Sequence, residues 1–144
     1  MANGDCVLTF KNYEVNEISF VKNNKFKNEG FEGLDFNIDT NIKYPKNPEE
    51  NKFAVKLRIN FGEDAITNNY PFTVIADITG FFELDLSQLG DMKQFAEVNA
   101  VSILFPYLRS LITTVTANAN IPPVIIPPMN IAGMIQKENA ESNQ

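Results

Sequence analysis

The sequence predicts an α+β fold: a four-stranded antiparallel, meander-like sheet followed by one long and one short C-terminal helix. Three observations carry this. Apolar and polar residues alternate at period two as far as about Leu84. The apolar spacing then changes to that of a helix. The links between the alternating runs hold Pro and Asn, which suits antiparallel neighbours, since parallel pairs need long crossovers.

The first run, Val7 to Val21, is the least regular. Leu8 and Phe10 share one parity with Ile18 and Phe20, whereas Tyr13 and Val15 take the other, so a bulge or twist is expected near Lys11–Glu14. The second run puts Leu34, Phe36, Ile38, Ile42 and Tyr44 on one face. The third puts Phe53, Val55, Leu57, Ile59 and Phe61 inward, with Ala54, Lys56, Arg58 and Asn60 outward. The fourth carries Phe72, Val74, Ala76, Ile78, Gly80, Phe82 and Leu84 on one side, with Ile75 and Phe81 on the other. Tyr44-Pro45-Lys46-Asn47-Pro48 and Asn68-Asn69-Tyr70-Pro71 are turn segments.

From Asp91 to Ala117 the pattern is helical, with Leu104, Leu108, Leu111, Ile112 and Val115 on one face. Pro106 either starts the main helix near its first turn or kinks a longer one; the favoured reading is a short turn over Lys93–Asn99, then the main helix from about Ala100 to Ala117, ended by Asn118 and Asn120. The segment from Ile121 to Pro128 is bracketed by prolines and must be extended. Asn130 caps a short last helix through Ile131, Met134 and Ile135. The 144 residues suit one domain, ordered over about 7–135, with a flexible polar tail over 136–144.

Composition excludes several functions. The chain is 44 % hydrophobic and 21 % charged, an ordinary globular balance. Its net charge of −6, with twelve scattered cations, argues against nucleic-acid and anionic-membrane binding. Cys6 stands alone, so no internal disulfide or thiolate cluster can form, and it reads as a small strand residue. The absence of histidine removes Ser-His-Asp and Cys-His nucleophiles and His-ligated metals. No glycine-rich phosphate loop occurs among the seven glycines. The start lacks a signal-peptide pattern, and no run of about 18 uninterrupted apolar residues predicts a membrane span. A cytoplasmic, non-catalytic protein without metal or cofactor is expected. Glu83 and Asp85 near Asp91, and Glu49-Glu50 between Lys46 and Lys52, read as solvated charges rather than acid–base pairs.

Three features are not absorbed by a simple core. Ile75 and Phe81, on the second face of the last strand, predict that this face is partly covered, by a second copy or by the C-terminal segment. Phe26 and Phe31 lie in the polar connector Lys22 to Gly33, where aromatics either pin a loop or line a binding groove. Met129 and Met134 flank the last helix and suit either core filling or an adaptable apolar surface.

Ile103-Leu104-Phe105-Pro106-Tyr107-Leu108-Arg109, followed by Ile112, Pro123 and Pro127-Pro128-Met129-Asn130-Ile131, resembles the SecB family of export chaperones. Glu17-Ile18-Ser19-Phe20, the Phe26 to Ile38 connector and strand, Phe53 to Arg58 and Gly80-Phe81-Phe82 extend the resemblance over about Leu8 to Ile135. The resemblance implies a homotetramer, a dimer of dimers, that holds non-native polypeptides in apolar grooves without nucleotide. Phe26, Phe31, Phe72, Val124, Ile126, Met129, Ile131 and Met134 would then line the client groove. It also implies docking on the SecA motor through an apolar–acidic pair before the fourth-strand glycine. Thr73 and Ile75 stand at those positions, and Val21 replaces a further acidic residue, which leaves Glu17 as the acidic candidate for motor contact. Some SecB-like proteins instead serve antitoxins, so a dedicated adaptor for one partner is the alternative role.

Overall fold

The computed structural model describes residues 8–31, 33–46, 52–84 and 93–121. They form β1 (Leu8–Lys22), β2 (Phe36–Lys43), β3 (Lys52–Phe61), the single-turn α1 (Ala65–Asn68), β4 (Phe72–Leu84) and α2 (Lys93–Asn118). The expected last helix, the tail, Asp85 and Asp91 lie outside the described residues.

All pairings are antiparallel and the order is β1-β4-β3-β2. Strands β2, β3 and β4 form the meander, while β1 crosses over to pair with β4 instead of lying beside β2. The connector over 23–35 is long enough for this crossing. A central place for β4 also explains why Ile75 and Phe81 are half-buried on the face away from the core.

Strand β1 keeps its apolar side inward by two bulges. The register skips Lys11, inside the expected window, and skips Asn16, outside it. Each extra residue reverses the alternation, so Leu8 and Phe10, then Tyr13, then Phe20 all reach the same core. At the open edge, Val15, Ile18 and Val21 stay 44–60 % exposed.

Helix α2 packs across one sheet face. Val101, Leu104, Leu108 and Ile112 have no exposure and meet Val55, Leu57, Ile59, Val74 and Ile78, equally buried. Leu111 and Val115, the rest of the expected stripe, pack against the margin of this cluster. Thr116 is buried too, its hydroxyl donating to the Ile112 carbonyl at 2.9 Å. The expected division near Asn99 does not occur: α2 is continuous, with Pro106 inside it. Pro106 is exposed, so the bond its ring removes is lost on the solvent side while the packed stripe runs on unbroken. Its segment Glu97–Asn118 is, by length and mean hydropathy, apolar enough to cross a membrane. In this fold it serves as the core helix; Ile103 and Tyr107 are each 39 % exposed, Tyr107 with its ring against Phe10 and Tyr13 of β1.

Burial raises the pKa of Glu97, near the start of α2. A carboxyl whose folded pKa lies above its unfolded value favours the fold while protonated, and that contribution is lost as pH rises through the folded value. At neutral pH the ionised, partly desolvated carboxylate therefore opposes folding. Glu97→Gln is expected to raise the melting temperature at pH 7 and to leave it unchanged at about pH 3, where the native carboxyl is already neutral. Paired thermal melts followed by circular dichroism would show this; an equal gain at both pH values would assign the effect to helix propensity instead.

Candidate functional site

The connector over 23–35 passes over one end of the sheet and carries Phe26 and Phe31. Their rings meet edge to face with centroids 5.3 Å apart. Phe26 is half-buried, and Phe31 is exposed. At the same end, Phe20 and Phe72 form a second aromatic pair at 5.3 Å, where the last residue of β1, Lys22, pairs with the first of β4. Phe72 itself is a core residue.

What fixes the connector is polar. Asn23 is buried, and its amide nitrogen donates to the carbonyls of Ala65 at 3.1 Å and Tyr70 at 2.8 Å. Its amide oxygen accepts from the Lys25 N–H at 2.9 Å, and its own N–H donates to the Pro71 carbonyl at 2.9 Å. Asn69, in the left-handed conformation that ends α1, exchanges two bonds with the Lys27 backbone, at 2.8 and 2.7 Å. The Tyr70 hydroxyl donates to Asp35 at 3.0 Å. That bond, together with burial and the nearby charge, raises the Tyr70 pKa. Three ties thus bind the connector to the β3–β4 turn on both sides of Phe26. Beside these ties Phe26 is half-buried and Phe31 stays exposed.

Of the eight groove residues expected from the sequence, the structure places Phe26, Phe31 and Phe72 at one end of the sheet. Val124, Ile126, Met129, Ile131 and Met134 lie outside the described residues. Glu17 is elsewhere, on the sheet face opposite α2, where its carboxylate pairs with Arg58 at 2.8 Å.

That opposite face holds a cluster the sequence reading did not single out. Asp77, 2 % exposed, accepts from Arg58 at 3.1 Å and from the Asn16 amide at 3.0 Å, with the Lys56 ammonium 3.5 Å away. Arg58 is held protonated more firmly by its bonds to Glu17 and then Asp77. A lone acid on an outward strand parity reads as solvent-facing, so its one signal was the pair of cations on the same face of β3. Thr73 and Ile75 share this face; the Thr73 hydroxyl is turned back onto the Gly62 carbonyl at 2.6 Å, and Ile75 is half-buried. No group of three or more acidic or thiol side chains with metal-binding spacing occurs among the described residues.

The sequence model described as preprotein translocase subunit SecB matches residues 7–142. The chain belongs to the SecB family. It is 44 % identical over 145 residues to an uncharacterized protein of Methanocaldococcus jannaschii, covering 96 % of this chain and 93 % of that protein. It is 29 % identical over 105 residues to the protein-export protein SecB of Dichelobacter nodosus, covering 72 % and 67 %. Its fold is similar to that of the SecB-like chaperone of Mycobacterium tuberculosis, solved in complex with a peptide from an antitoxin. There the TM-score is 0.62 and the identity 14 %, with 85 % of this chain and 87 % of that one covered.

Proposed function

We propose that this chain is an ATP-independent holdase that keeps non-native polypeptides soluble, in the cytoplasm and for export. The observation that supports it best is the Phe26–Phe31 pair, with Phe31 exposed, on a connector held by polar ties. Contacts to aromatic rings and to extended backbone are tolerant of client sequence, as a general holdase requires. The working unit is a homotetramer, a dimer of dimers. The exposed Ile103 on α2 and Val15, Ile18 and Val21 along the β1 edge support this, being exposed apolar surface in one copy. Glu17, exposed beside Arg58, is the contact offered to a SecA-type motor.

The test is suppression of light scattering by a slow-folding protein diluted from denaturant. The wild-type chain is expected to suppress it at near-stoichiometric amounts. Phe31→Asp, which places a charge on an exposed ring position, is expected to lose most of that effect while keeping its melting temperature. No suppression by the wild type at molar excess would remove the general-holdase reading. A second reading, a chaperone dedicated to one partner, is supported by the antitoxin peptide held by the Mycobacterium tuberculosis relative in fold. Such a chaperone would bind its partner and leave unrelated clients to aggregate.

A further inference from the structure

On the sheet face away from α2, Asp77 is a buried carboxylate, a costly group unless both of its oxygens are used. Both are used, and both lead to the same neighbour. Oδ1 accepts from the Asn16 amide at 3.0 Å, and that amide also donates to the Thr79 hydroxyl at 2.7 Å. Asn16 is the extra residue at which the β1 register skips, so these bonds tie down the bulge that comes directly before Glu17. Oδ2 accepts from Arg58 Nη1 at 3.1 Å, and the same nitrogen donates to Glu17 Oε1 at 2.8 Å. One buried acid thus reaches Glu17 twice, through its backbone and through its side chain.

The side chains of Arg58 and Glu17 are 34 % and 43 % exposed, and an ion pair so placed holds its geometry weakly when it stands alone. Asp77 changes this: with Arg58 seated on a buried carboxylate, Glu17 meets a donor already in place. The second oxygen of Glu17, Oε2, has no partner among the described residues. A donor that reaches it finds an acceptor already oriented, and less freedom is lost on contact. We propose that Asp77 is a positioning residue for Glu17, which it presents to a lysine or arginine side chain of a partner protein. The proposal rests on the reading of Glu17 as the contact for a SecA-type motor, and names the group that makes that contact rigid. Because Arg58 stands beside Glu17 and offsets its field, orientation decides the contact more than charge does.

The experiment titrates a fluorescently labelled, purified SecA-type motor with the full chain and follows anisotropy. Glu17→Gln is expected to weaken binding about tenfold. Asp77→Asn is expected to weaken it by a similar factor, and the double variant to be no weaker than Glu17→Gln alone, because both changes act through one contact. Asn16→Ala changes no charge and loosens only the bulge and the seat of Asp77. It is expected to weaken binding about threefold, and it serves where Asp77→Asn fails to fold. Losses that multiply in the double variant overturn the positioning role and mark Asp77 as a structural ion-pair member. Wild-type affinity in Asp77→Asn or in Asn16→Ala also overturns it, while the motor reading stands. Wild-type affinity in Glu17→Gln, or no binding by the wild type, overturns the motor reading and the proposal with it.

Discussion

Gly62→Ala is expected to destabilise the fold by on the order of 3–5 kcal/mol, lowering the melting temperature by on the order of 10 °C. Gly62 follows β3 with φ of 72°, and a Cβ there would lie 2.1 Å from the Phe72 carbonyl oxygen. Two costs add. The left-handed conformation opposes any β-carbon, by about 1 kcal/mol. The collision is with backbone, so no rotamer change relieves it. The turn cannot shift freely either, because the Gly62 N–H donates to the Asp35 carbonyl at 3.0 Å and its carbonyl accepts from Thr73. Gly30→Ala is the control, since Gly30 has φ of 78° but open space where its Cβ would stand. Denaturant melts should show a small loss for Gly30→Ala and a several-fold larger one for Gly62→Ala. Equal losses would mean that strain alone acts and that the close approach to Phe72 relaxes without cost.

The sequence was most legible where burial is one-sided. In β3 and β4 every inward residue is apolar, and the bounds of the fourth run were read correctly because a half-buried strand writes its pleat into the residue order. Strand β1 was harder: each bulge flips parity, so its inward residues look like two short conflicting runs, and the bulge at Asn16 left no mark beyond the change between Val15 and Ile18. The order β1-β4-β3-β2 was not legible, since it depends on where a long connector lands. Pro106 misled because proline's effect on a helix depends on which side faces solvent. Phe26 and Phe31 stood out as aromatics among Asn and Lys, and the structure brings their rings together. The groups that fix them did not stand out. Asn23 and Asn69 sit in Asn-rich turn segments where any of several asparagines could have taken the role.

Asn23→Asp is expected to free the Phe26–Phe31 connector while the sheet stays folded. The two acceptors facing the Asn23 amide nitrogen, the carbonyls of Ala65 and Tyr70, have no proton to share. An ionised carboxylate there loses both bonds and sets negative charge against two carbonyl oxygens in a buried place, which costs more than deletion. Asn23→Ala removes the same bonds without adding charge, leaving the Tyr70 carbonyl and the Lys25 N–H to find other partners; a loss of about 2 kcal/mol is expected. The Ala65 carbonyl keeps a bond from the Tyr70 N–H at 2.9 Å, so the α1 turn survives in both variants. Hydrogen exchange should then accelerate over residues 23–35 and stay slow in β3 and β4, more so for Asp than for Ala at neutral pH. As pH falls through the raised pKa of this buried carboxyl, the excess loss of the Asp variant should disappear, since the protonated group can donate to one of the two carbonyls. Client holding should fall with connector order, because an aromatic pair on a mobile loop must be ordered anew at each binding event. Unchanged exchange over 23–35 in both variants would show that Asn69 and Tyr70 hold the connector unaided.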